Sequence, residues 1–459
     1  MEKIVHIVGA GLAGSEAALQ LAQRGIRVVL HEMRPNVQTA VHKTGLCAEL
    51  VCSNSLKSMK PDSAAGMLKQ ELDQLGSYLL RAALRHAVPA GGALAVDRDR
   101  FAQDVTDAIQ EHPLIERRFD EVADIASLCA DAAAVILATG PLTSDALSQS
   151  IMELTGAGHL AFYDAAAPIV EADSLDMGKV FRQSRYEDDT AGDYLNAPFS
   201  KDEYEAFIDA LLGAQRVIAR DFESRDLFQA CQPIEEIARA GRDAPRFGPL
   251  KPVGLTDPAT GRRPWAALQL RAENAQATSY NLVGFQTNLR FTEQERVFRM
   301  IPGLEHAVFA RYGVMHRNTF LDAPRLLDAH LRLTCPKAAE LPCPVYVAGQ
   351  LGGTEGYCEA IRSGLHAAIA VAAALAGFEA PLPPVHTAYG ALLAYATDPA
   401  VADYQPMHVN FGIMPALEQP IRNKRQRYSA YAERGARALA EYRTQLVDAD
   451  LLDAGRLES

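Results

Sequence analysis

Ile4-Val5-His6-Ile7-Val8 runs into Gly9-Ala10-Gly11-Leu12-Ala13-Gly14, and a second apolar stretch, Ile26 to Leu30, is followed by Glu32. The pattern reads as strand, glycine turn, helix and second strand closed by an acid. Each part has a physical reason. Gly9 permits the tight turn, Gly11 lets the backbone approach a pyrophosphate, and Gly14 allows close helix–strand packing. The helix, from about Gly11 to Arg24, aims its first N–H groups at the phosphates. Glu32, 18 residues beyond Gly14, stands where a carboxylate grips a ribose hydroxyl. Glycine turns alone also occur as plain structure. With strand, helix and acid in register, this one indicates a bound dinucleotide.

Further along, Ala133 to Ala138 forms a buried strand ending in Thr139-Gly140-Pro141, a turn common beside the cofactor of flavoprotein folds. Ser53-Asn54-Ser55 reads as a helix cap leading to helices between Ala64 and Arg85. Ala93 to Val96 reads as a strand, and Asp99 to Ile109 as an amphipathic helix. From about Pro168 to Pro342 the strand–helix alternation stops, and acidic and aromatic segments alternate with prolines. Val345 to Gln350 then restores a buried strand, with Gly349, Gly352, Gly353 and Gly356 at its carboxyl end and a helix running to about Leu375. The expected architecture is α/β. A Rossmann-like nucleotide-binding domain is built from residues 1–167 and 343–459, with a mixed α/β second domain inserted at 168–342.

The 459 residues are 48% hydrophobic and 22% charged, an ordinary soluble composition. No basic and apolar leader opens the chain, and the longest apolar run, Ala367 to Ala376, is too short to span a bilayer. Seven scattered cysteines read as cytosolic free thiols rather than a disulfide framework. Cys47 and Cys52, with His42 upstream, lack the matching second pair that a zinc site needs, so no metal is expected. A net charge of −12 argues against general polyanion binding, yet Arg422-Asn423-Lys424-Arg425-Gln426-Arg427-Tyr428 is strongly basic. That run reads as a solvated helix face or as a nucleic-acid contact.

Two cysteines stand out. Cys52 precedes the cap-like Ser53-Asn54-Ser55, and a helix start there would stabilise a thiolate. Cys231 precedes Gln232-Pro233, which forces extended or turn backbone, with Arg239, Arg242 and Arg246 nearby in sequence. On these residues alone, an inert packing thiol explains Cys52 as well as a reactive one does, and a structural cysteine is the better reading of Cys231.

Several segments together resemble one family. They include Gly11 to Ala18, His31-Glu32-Met33-Arg34-Pro35, Ala48 to Leu56, Pro89 to Arg98 and Arg246 to Leu255. Asn281 to Thr287, Tyr312 to Phe320, Ala348-Gly349-Gln350 and Glu355-Gly356-Tyr357 complete the set. In order and spacing they are similar to the folate- and FAD-dependent tRNA (uracil-5-)-methyltransferase (TrmFO) family. The resemblance implies FAD as cofactor, with methylenetetrahydrofolate and NAD(P)H as co-substrates. It implies transfer of a one-carbon unit to carbon 5 of uridine 54 in the tRNA T-loop, with tRNA as partner, no protein partner, no membrane and a cytoplasmic location.

By the same resemblance Cys231 matches the nucleophile that adds to uracil carbon 6, and Cys52 the second family cysteine. FAD phosphates would lie over Gly9, Ala10, Gly11, Leu12, Ala13 and Gly14, with the ribose at Glu32. The flavin ring would lie near Gly349, Gln350, Gly356 and Tyr357, with His316 and Arg317 as folate candidates. Leu351 to Thr354, and Gln232 after Cys231, depart from the family pattern. Three rivals remain at this stage: a flavoprotein modifying the tRNA wobble uridine, an FAD-dependent small-molecule oxidoreductase, and a non-catalytic FAD-binding regulator.

Overall fold

The computed structural model describes residues 3–39, 41–156, 160–185, 192–217, 232–401 and 404–453, with no side-chain description at 160–165 and 316–319. Five parallel strands form the first sheet, in the order Val345–Val347, Ala134–Leu137, Ile4–Val8, Arg27–His31, Ile115–Arg118. The three central strands are apolar on both faces, and Val5, Ile7, Val28, Leu30, Val135 and Ile136 are fully buried, as a parallel sheet covered by helices requires. The α/β class is borne out.

The helix Leu12–Gln23 packs on this sheet and against the long helix Tyr357–Ala376. That long helix is apolar enough, by length and composition, to cross a bilayer. Its surface is spent on the protein core instead, since 83% of its most apolar window is buried.

The second sheet has six strands: Phe181–Arg182, Tyr194–Phe199, Ala266–Ala272, Ser279–Leu282, Ile169–Glu171 and Phe309–Arg311. All its pairs are antiparallel. It owns a separate apolar core, in which Phe199, Phe207, Phe285 and Phe298 meet ring to ring. A two-stranded ribbon joins the halves: Leu160–Ala165 leads out and Met315–Phe320 returns beside it, antiparallel.

One expectation fails. Ser53-Asn54-Ser55 does not begin a helix; Ser55–Ser58 is a strand paired with Ala93–Val96. The next helix starts at Ala64, where the Ser63 side chain accepts the N–H of Gly66. The reason is that the polar side chains at 53 and 54 are engaged elsewhere. Asn54 Nδ2 donates to the carbonyls of Val96 and Ala272, and its Oδ1 accepts from Arg271 Nε at 2.7 Å. Ser53 Oγ accepts from the N–H of Ser55 and from Arg271 Nη2. A helix-terminus effect on Cys52 therefore has no source in its own segment.

Candidate functional site

The carboxyl ends of the parallel strands converge on one edge, where Val8 leads to Gly9, His31 to Glu32, Leu137 to Thr139 and Val347 to Gly349. Ligands of open α/β sheets bind at this edge. A cleft opens there, walled by Gly9, Gly11, Glu32, Arg34 and Thr139 among others.

The glycines test whether a dinucleotide fits. Gly9 has φ +100°, and a Cβ there would lie 2.6 Å from the Ala138 carbonyl oxygen. A Cβ on Gly14 would collide with the Gly9 carbonyl. These two serve the backbone. Gly11 differs, because a Cβ there would meet nothing within 4 Å and would project into open space beside the helix start. A bare backbone facing open space at the uncapped start of Leu12–Gln23 is what a pyrophosphate needs. The residues fit the group.

Glu32 is held by four donors. Its Oε2 accepts from the Ala10 N–H and Arg34 Nη2, both at 3.0 Å, and its Oε1 accepts from the Arg34 N–H and Nε. Burial works against this charge, but the Arg34 hydrogen bonds and guanidinium outweigh it and hold the carboxyl below its usual range. Arg34 also pairs with Glu49 at 3.1 Å.

Below Glu32, His31 Nε2 lies 2.9 Å from His6 Nδ1, and His31 Nδ1 lies 2.9 Å from Asp120. Burial, then the neighbouring His31, lowers the pKa of His6.

The second half of the site forms around the start of Tyr357–Ala376. Gly356 caps that helix with φ +116° and makes no side-chain cap bond, and the first turn carries the acid Glu359. Tyr357 Oη accepts the backbone N–H of both Cys52 and Ser53 at 3.0 Å. Burial, followed by the nearby Cys52, pushes this phenol well above its ordinary pKa, so it stays protonated. Gly349 has φ +75°, and its N–H donates to Ser363 Oγ. Gln350 Nε2 donates to Glu355. The structure thus joins Cys52 and Tyr357 directly, while Gly9, Gly11 and Glu32 line the cleft at the strand ends.

Three arginines absent from the expected site grip the loop that carries Cys52. Arg311 donates to the carbonyls of Val51 and Cys52, and Arg98 to that of Leu50. Arg271 holds Asn54 and Ser53. Arg98 is balanced by Glu273 at 2.5 Å. Burial, then the charge of Arg98, lowers Arg311 to about 10. These residues lie up to 260 positions from the loop they hold, so no local pattern links them to Cys52. The one available signal was Arg311 opening the aromatic and basic stretch to Phe320.

Cys231 lies outside the described residues, as do the side chains of His316 and Arg317. Among the described residues no group of three or more His, Cys, Asp or Glu is placed to hold a metal ion.

Comparison with known proteins gives three findings. Residues 4–379 match the family described as glucose inhibited division protein A. The methylenetetrahydrofolate–tRNA-(uracil-5-)-methyltransferase TrmFO of Symbiobacterium thermophilum is 51% identical over 98% of this chain and 100% of its own length. That of Geobacter sulfurreducens is 51% identical over 96% and 98%. Among solved structures, GidA of Aquifex aeolicus superposes with TM-score 0.70 at 15% identity, covering 100% of this chain and 75% of that one. At that identity the likeness speaks for the fold alone.

Proposed function

The chain belongs to the glucose inhibited division protein A family and to the folate- and FAD-dependent tRNA (uracil-5-)-methyltransferases, and from this premise we propose how its residues divide the work. It is an enzyme that moves a one-carbon unit from methylenetetrahydrofolate to carbon 5 of a tRNA uracil, with FAD as cofactor. The finer reading places the uracil at position 54 of the T-loop and takes NAD(P)H as reductant. When bound, FAD supplies the electrons that convert the methylene into a methyl group.

The protein residues would act as follows. The backbone of Gly9, Ala10, Gly11, Leu12, Ala13 and Gly14 receives the pyrophosphate at the start of the first helix. Glu32 faces the ribose, where a hydroxyl takes over one of the bonds now made by Arg34. Gly349, Gln350, Gly356 and Tyr357 border the ring, and the uncapped start of Tyr357–Ala376 favours negative charge on it.

Uracil carbon 5 is a weak nucleophile. A thiolate adding at carbon 6 makes it an enolate equivalent, and Cys231 is the residue assigned that step. Cys52, tied to Tyr357, serves the methylene at the ring side. The observation that carries this division is the pair of hydrogen bonds joining the Cys52 loop to Tyr357 at the glycine-rich strand end.

The two-domain division at 168 and 342 is part of the proposal, supported by the two separate apolar cores. A cytoplasmic location follows from the tRNA substrate and the free thiols.

The test is incubation with labelled methylenetetrahydrofolate, NADPH and unmodified tRNA transcript. Wild type should place label at position 54. Cys52→Ala and Cys231→Ala should bind FAD yet lose at least a thousandfold in rate. Label at the wobble position, or full activity in Cys231→Ala, would overturn the assignment.

A further inference from the structure

The first turns of the last helix, Lys424–Asp448, break a general rule of charge placement. Cations are favoured at helix carboxyl ends and disfavoured at amino ends, where the helix dipole is positive. Here Lys424, Arg425 and Arg427 occupy the opening turns, Arg422 stands just before them, and the first turn holds no acid. Asn423 caps the helix by accepting the N–H of Gln426, which adds no charge. The first carboxylate along the helix is Glu433, and it faces Ser429.

A violation of local preference without an evident structural return points to function. The setting strengthens the point. Acids outnumber bases by 57 to 45 in the whole chain, and several surface arginines elsewhere are paired, as Arg85 is with Asp104 and Arg242 with Asp209 and Glu205. Among the described residues, no carboxylate pairs with Arg422, Lys424, Arg425 or Arg427.

An aromatic base underlies these cations. Phe411 packs at a tilt against Tyr428 with centroids 4.4 Å apart and stacks on Tyr431 at 5.2 Å. Lys424 Nζ and the Arg427 guanidinium lie 5.5 and 5.7 Å from the Tyr428 ring centroid, and Arg434 lies 5.1 Å from that of Tyr431. The three rings are half-buried and satisfied by one another, so they act as a rigid footing for charge rather than as a platform for bases.

The footing is wired to the site. The segment leading to Phe411 pairs at Met407 with Thr354 and Glu355, two residues before Tyr357. Val409 N–H donates to Glu359 Oε1 at 3.1 Å, and that same carboxylate pairs with Lys57 at 3.7 Å, five residues after Cys52. The Glu359 carboxylate and the segment from Met407 to Phe411 therefore tie Lys57, beside the reacting loop, to the aromatic footing of the helix start.

We propose that Lys424 and Arg427, set against the Tyr428 ring, form with the neighbouring Arg425 the docking surface for the phosphodiester backbone of the tRNA substrate. The inference rests on the tRNA reading above and adds the face on which that RNA lies. Contacts of this kind hold register and orientation without reading sequence.

The test uses the FAD-loaded protein and unmodified tRNA transcripts of two different sequences. Affinity is measured from 50 to 300 mM salt for wild type and for K424Q/R425Q/R427Q. Each lost phosphate contact should flatten the plot of log affinity against log salt by about 0.7 to 0.9, so the triple variant should lose between about 2 and 3 from its slope. Binding should weaken at least tenfold near physiological salt, and equally for both transcripts. Flavin content and the circular dichroism spectrum report that the variant is folded. The charge-preserving K424R/R425K/R427K should keep the wild-type slope.

A tRNA-binding wild type whose slope matches that of the triple variant overturns the docking surface and leaves the methyl-transfer reading standing. A wild type that neither binds nor methylates tRNA sinks the underlying reading and the surface with it. Binding to phosphatidylglycerol vesicles that depends on these cations, with tRNA binding unchanged in the variant, would assign the patch to a membrane instead.

Discussion

Replacing Tyr357 by phenylalanine isolates one oxygen atom on which two backbone donors converge. In the wild type that oxygen accepts from the N–H of Cys52 and of Ser53, each at 3.0 Å. The phenylalanine ring keeps the packing and strands both donors. An unpaired buried donor costs about 1–3 kcal/mol. Cys52 and Ser53 are half-buried, so water recovers part of the loss, and the lower end applies, about 2 kcal/mol for the two together.

Loop position should suffer more than global stability, because a misplacement near 1 Å costs roughly a hundredfold in rate. Arg311 and Arg98 still grip the carbonyls of Leu50, Val51 and Cys52, so the loop shifts rather than unfolds. The assay pairs urea unfolding with the initial rate of 5-methyluridine formation, both normalised to bound flavin. Unfolding free energy within 0.5 kcal/mol of wild type together with an unchanged rate would refute the view that Tyr357 holds the Cys52 loop.

Other outcomes follow from the same site. Gly11→Ala should fold normally, since its Cβ enters open space, yet bind FAD at least tenfold more weakly; Gly14→Ala should lose the turn itself and purify colourless. Equal flavin affinity in Gly11→Ala and wild type would remove the pyrophosphate from that position. Glu32→Gln should destabilise the protein by about 2 kcal/mol, less than the 3–5 kcal/mol of a fully stranded partner, because Glu49 stays 3.1 Å from Arg34.

The pH dependence has a defined sign. The folded pKa of Glu32 lies below its unfolded value, so its contribution is fully present above the ordinary carboxylate range. It is lost as pH falls through the depressed folded value. Difference unfolding curves should therefore show the wild-type advantage over Glu32→Gln shrinking on the acid side; an advantage that grows there would contradict the ion pair.

Much of the fold was legible because its signals are local. Gly9 to Gly14 between two apolar strands encodes its turn in the chain itself, and Val345 to Tyr357 does the same at the second strand end. Ser53-Asn54-Ser55 misled for an instructive reason. The polar side chains that cap helices are the same ones that bridge backbones across a domain junction, and only the partners, Arg271 and the carbonyls of Val96 and Ala272, distinguish the cases. Those partners lie 42 to 218 residues away. The arginine grip on Cys52 was hidden by the same distance. By contrast, the basic run at 422–427 was visible, but its meaning waited on the lack of carboxylate partners among the described residues and on the aromatic footing beside it.

The antiparallel ribbon of Leu160–Ala165 and Met315–Phe320 has an engineering consequence. Its two strands depart and return as neighbours, so everything between them hangs from the first sheet like a cassette between adjacent splice points. A tight turn replacing residues 166–314 would close the ribbon without moving either end. Such a shortened chain should keep its dinucleotide cleft, while exposing Asn54 and Arg98, whose partners Arg271 and Glu273 leave with the cassette.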